Sequence, residues 1–91
     1  MAEQINPLVN KGRKNESGNI ISDANEIVLP GIYTFSRVSD ITGNQPPFTN
    51  KDLMMIIIVT SYDNSSLLQT AICGTEIHSR EYYGETWQSW T

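Results

Sequence analysis

The chain has 91 residues, a formal net charge of −4, one cysteine and one histidine. That length makes one domain with a limited core, and the acidic balance excludes a nucleic-acid grip built on clustered Lys and Arg. An internal disulfide and a four-ligand structural zinc site are excluded by the same counts, which leaves oligomerisation as the common remedy for a small core.

The charge is uneven. Lys11, Arg13 and Lys14 face only Glu3 in residues 1–14, whereas acids dominate the remainder. Residues 1–22 are rich in Asn, Gly, Ser and Lys, and Pro7, Gly12 and Gly18 interrupt any regular period. This stretch predicts an irregular arm that attaches to a partner. The opening MAEQINPLVNKGRK has no apolar segment of signal-peptide type. The longest apolar run, residues 53–59, is far shorter than a membrane span. The expectation is a soluble product of a reducing compartment with no membrane insertion.

From residue 23 the texture becomes β-like. EIVLPGIYTFS reads as two short β runs around Pro30-Gly31, a turn dipeptide. On the second run Tyr33 and Phe35 share a face. SDITGNQPPFTNKD carries Pro46 and Pro47 and predicts a loop, because consecutive prolines cannot join a ladder. LMMIIIVTSYD predicts a strand that is apolar on both faces and therefore needs cover on both. Met55, Ile57 and Val59 on it are candidates for a core or a subunit interface. After the turn DNSS, LLQTAICGT and EIHSREYY predict two more strands, and TWQSWT a short last one. The predicted fold is mostly β: a small antiparallel meander or sandwich over residues 23–91, with residues 1–22 as the arm.

Catalytic chemistry finds little support. Cys73 and His78 lie close in sequence without a surrounding nucleophile motif. Glu76, Glu81 and Glu85 are near one another only by position, and Glu76 and Glu81 fall on opposite strand faces. No phosphate-binding glycine loop or metal-ligand cluster is present, so no cofactor and no metal is expected. The aromatic C-terminal end is the remaining signal. Tyr82, Trp87 and Trp90 with Arg80 make a candidate carbohydrate platform, in which ring faces meet sugar C–H groups. They suit a core clasp still better, since a small core needs large aromatics. Trp87 and Trp90, three apart, face opposite ways on a continuous strand. Should the clasp use all four, recognition would fall to the loop 39–52 or the turn 63–66.

The ordered set Pro30-Gly31-x-Tyr33, Pro46, the apolar strand, Gln69, Arg80 and Trp87-x-x-Trp90 resembles the knob-like domains of bacteriophage tail fibres and R-type pyocin fibres. The resemblance runs over roughly residues 26–91, with His78 where that family often has Tyr. It implies a homotrimeric, non-enzymatic adhesion module of a virion, recognising a bacterial surface glycan. The candidate ligand contacts are then Arg80, Tyr82, Trp87 and Trp90, and residues 1–22 would hold the virion partner. The alternative expectation is a structural virion protein, a head-fibre or decoration module anchored by the same arm.

Overall fold

The computed structural model describes residues 9–63 and 65–91. Six strands form one sheet in sequence order: β1 (Asn10–Gly12), β2 (Gly31–Phe35), β3 (Met55–Asp63), β4 (Ser66–Cys73), β5 (Glu76–Tyr83) and β6 (Thr86–Trp87). β1 runs parallel to β2. Every other neighbouring pair is antiparallel, so β2 to β6 is a meander. Helical structure among the described residues is confined to two 3-10 turns, Ala24–Glu26 and Val38–Asp40, and no helix is long and apolar enough to cross a membrane.

The three central strands follow from local chemistry. β3 and β4 are dense in β-branched and other apolar residues that fit a pleated surface. The β5–β6 turn has positive φ at both central residues, 60° at Gly84 and 62° at Glu85. That is the type I′ geometry whose twist matches the flanking strands. The register places Tyr33, Ile57, Ala71 and His78 in one cross-strand row. Side chains therefore alternate cleanly between an inner and an outer face.

The inner face is the core. Tyr33, Phe35, Met55, Ile57, Val59, Leu67 and Ala71 are buried on it. Its cover is a layer of irregular chain rather than a second sheet, so the meander is present and the sandwich is not. Ile21, Ala24, Ile27, Val38, Ile41 and Phe48 supply that layer. The layer is held by its own hydrogen bonds. Ala24 N–H donates to Gly43 O at 2.9 Å, and Thr42 N–H to Ser22 O at 2.9 Å. Val38 N–H donates to Leu53 O at 2.9 Å, and Gln45 Nε2 to Ile41 O at 2.8 Å. Irregular backbone can be buried only where such partners exist.

This layer bears on two expectations. Met55, Ile57 and Val59 are fully buried within one chain and form its core; Ile56 and Ile58 face outward. The run before Pro30 is not a strand. Asp23 caps the first 3-10 turn by accepting from Asn25 N–H at 2.8 Å, and the Tyr33 hydroxyl donates to Leu29 O at 2.8 Å, pulling that segment off the sheet edge.

The expected arm is also only partly an arm. Residues 1–8 of it lie outside the described residues. From Val9 onward it joins the fold: Ile32 N–H donates to Val9 O at 2.9 Å, and Ile21 N–H to Arg13 O at 2.9 Å. Gly31 permits the first contact. A Cβ there would sit 2.9 Å from Val9 O and 2.9 Å from Lys11 Cε, closer than side chains pack. Ile21 is fully buried, so the boundary expected at residues 22 and 23 does not separate the core from its surroundings. Replacing Ile21 with Ala should therefore lower stability by about 2–5 kcal/mol in urea unfolding, whereas a detached arm predicts no change.

Candidate functional site

The sequence-predicted ligand residues do not act alike. Arg80 projects from β5 to the inner face and is 5% exposed. Its Nε donates to Gln69 Oε1 at 2.8 Å, and its Nη2 to Asn25 Oδ1 at 2.8 Å. The guanidinium carbon lies 3.9 Å from the Trp87 ring centroid and 4.7 Å from that of Trp90, within cation–π range. Burial lowers the Arg80 pKa to about 10, opposed by the charge of Asp23, so the side chain remains a cation at neutral pH. Its charge is met by neutral oxygens and ring faces.

Gln69, fully buried opposite Arg80 on β4, completes this arrangement. Its Nε2 donates to Ala24 O and to Ile27 O, both at 2.8 Å. One amide thus satisfies two carbonyls of the covering layer and orients the arginine.

The two tryptophans meet the same guanidinium because the chain leaves the strand after Trp87. Gln88 N–H donates to Glu81 O at 2.8 Å, and Thr91 N–H to Ser79 O at 2.9 Å. With the strand broken, the period-two rule no longer sends the rings to opposite faces. Trp90 is anchored further, its Nε1 donating to Asn44 O at 3.0 Å. The end of the chain is also tied through His78, whose ring nitrogens lie 2.9 Å from Thr91 O and 3.0 Å from Glu76 Oε2. The Glu76 carboxyl is held below its ordinary range, first by His78 and then by the Thr49 backbone N–H. Both His78 nitrogens are occupied in this way, and Cys73 is a buried free thiol.

Beside this cluster lies an open groove of about 670 Å³. Tyr82 and Trp87 form one wall, with ring centroids 5.0 Å apart and planes inclined at 56°. Asn25, Leu29 and Pro30 form the opposite wall. Ser61, Asp63, Ser65 and Ser66, from the end of the β3–β4 hairpin, close it. Asp63 accepts from Ser65 N–H at 2.8 Å and from Ser65 Oγ at 3.1 Å. These bonds, the backbone one first, hold its carboxyl below the usual range. Among the described residues no Lys, Arg or His lines the groove. It therefore offers a fixed negative charge, an amide, several hydroxyls and two aromatic rings.

Of the four predicted ligand residues, Tyr82 and Trp87 line the groove, while Arg80 and Trp90 stand behind it. The hairpin end at Asp63 to Ser66 is the part of the fallback prediction that reaches it. Asn25 and Ser61 went unread, since single polar residues carry no local signal. Among the described residues no group of three His, Cys, Asp or Glu side chains could hold a metal ion.

Gln69 gives the direct check on this geometry. Gln69→Leu leaves the Ile27 carbonyl and the Arg80 Nε without partners in the buried interior, and the Ala24 carbonyl with only the Ile27 N–H. It should cost about 3 kcal/mol or more in chemical unfolding. Near-unchanged stability would show that the amide is not what joins the two layers.

No protein-family model, curated protein or solved structure matches the chain.

Proposed function

We propose that this chain is a non-catalytic recognition module of phage-fibre type that binds a neutral, hydroxyl-rich glycan of a bacterial surface in the Tyr82–Trp87 groove. The single observation behind the reading is the lining of that groove. Two rings supply faces for sugar C–H groups, while Asp63, Asn25 and the serines supply acceptors and donors for hydroxyls. Its volume falls in the usual range of ligand sites, roughly 300–1,000 Å³. The negative charge at Asp63, with no cation in the lining, disfavours acidic sugars. The fibre assignment rests on the ordered sequence resemblance from Pro30 to Trp90. It brings with it assembly as a homotrimer and residence on the virion.

Binding to an array of neutral and acidic glycans tests the reading. The expected result is saturable binding to neutral structures, with the glycan recovered uncleaved. Trp87→Ala should abolish binding. Because Trp87 also touches Arg80, Asp63→Asn serves as the second variant: its carboxylate is on the surface, so the fold is kept while affinity falls about tenfold. Undiminished binding by a folded Asp63→Asn protein, or release of new reducing ends from the glycan, would contradict the proposal.

A further inference from the structure

The outer face of the sheet is composed unlike a solvent-facing surface. Its central cross-strand rows are Thr34–Ile56–Ile72–Ile77 and Ile32–Ile58–Thr70–Ser79, followed by Thr60–Leu68–Glu81. An antiparallel sheet with one solvated face alternates apolar inside with polar outside; here the outside is apolar too. Ile56 is 38% exposed, Ile77 61% and the adjoining Met54 73%. Charge is depleted as well. In a chain that is 18% charged, Glu81 is the sole charged side chain in these three rows. Its carboxylate is taken up by the Tyr62 hydroxyl at 2.8 Å, and this bond is the first cause raising the Tyr62 pKa.

We infer that this face is the surface through which copies of the chain associate, with a second copy of the same face as its occupant. Loss of charged residues at the centre of a patch is what separates an interface from ordinary surface. The extent also fits. Four strands about 4.8 Å apart, carrying outward side chains along roughly eight residues at about 3.4 Å each, span a footprint of about 500 Å² before side-chain relief. That is of the order of the roughly 800 Å² of accessible surface each partner gives to a standard interface. The rows of β-branched side chains are flat and nearly uncharged, so two such faces meet without opposing like charges at their centre. A different protein as occupant would need complementary charge, and this face offers only the engaged Glu81. Two like faces packed on each other close as a twofold pair, so the inference goes beyond the threefold assembly that the sequence resemblance implies and is tested apart from it.

Sedimentation velocity at about 50 µM, with circular dichroism as the check on folding, tests it. The wild-type chain should sediment as a dimer; a trimer would contradict the pairing of like faces. Ile58→Glu, at the centre of the face, should convert it to a folded monomer. Should that variant unfold, Ile77→Lys, at a more exposed position of the same face, should weaken association at least tenfold. A wild-type monomer overturns both the surface and the assembly. An oligomer unchanged by folded Ile58→Glu or Ile77→Lys overturns the surface alone. Glycan binding measured on the same samples separates this result from the groove: a monomeric variant that still binds glycan leaves the recognition reading standing.

Discussion

The buried amide of Gln69 is the contact on which the rest of this structure depends. A small domain with one sheet must cover its apolar face, and this chain does so with irregular backbone. Such backbone brings carbonyls into the interior with no ladder to receive them. Gln69 meets two of them, at Ala24 and Ile27, and its own oxygen receives the Arg80 Nε–H. An apolar residue of similar size would fill the space, leave the Ile27 carbonyl and the Arg80 Nε unpaired, and leave the Ala24 carbonyl only its bond from Ile27 N–H. From Gln69 the sequence of consequences is direct. Arg80 is oriented, Asn25 is held by Arg80 at 2.8 Å, and Trp87 packs on the guanidinium. Asn25 and Trp87 are opposite walls of the groove. The side chains that shape the candidate site are thus fixed from below by a network buried in the core.

On the proposed reading, this arrangement separates two tasks by faces. The covered inner face ends in the groove, at the tip of the β3–β4 hairpin. The outer face carries no part of the groove and is apolar over its central rows. Copies joined through their outer faces would leave every groove open to solvent. Several weak sugar sites held in one assembly bind a repetitive surface far more tightly than one does. An isolated domain of this size, with one face uncovered, has modest stability in reserve.

The meander was legible because its signals are local. β-branched runs mark β3 and β4, and Gly74 and Gly84 mark the following turns. The parts that were not legible depend on contacts distant in sequence. Asn10–Gly12 has no strand composition; it is a strand because the Val9 carbonyl and the space at Gly31 lie beside it. Ile21 looked like a scattered residue in a polar arm and is part of the core. Arg80 looked like a ligand contact because an arginine beside aromatics suits a sugar platform, and Trp90 because a continuous strand would turn one of the two tryptophans outward; Arg80 instead points into the core. Once the strand ends at Trp87, Trp90 turns to internal work as well. A glutamine inside an apolar strand, as in LLQTAI, was the one available sign of a buried polar network. The groove itself was half visible, through Tyr82, Trp87 and the 63–66 turn, because its other wall is assembled from a segment some forty residues away in the chain.

The two tryptophans give one measurement that bears on the central claim, that the network behind the groove presents Trp87 and withholds Trp90. Titration with a neutral oligosaccharide, followed by the two indole N–H resonances in a nitrogen–proton correlation spectrum, reports on each ring separately. The account predicts that the Trp87 signal shifts and saturates, while the Trp90 signal, whose N–H is bonded to Asn44 O, stays in place. A shift confined to Trp90, or no response from either indole at millimolar sugar, would contradict it.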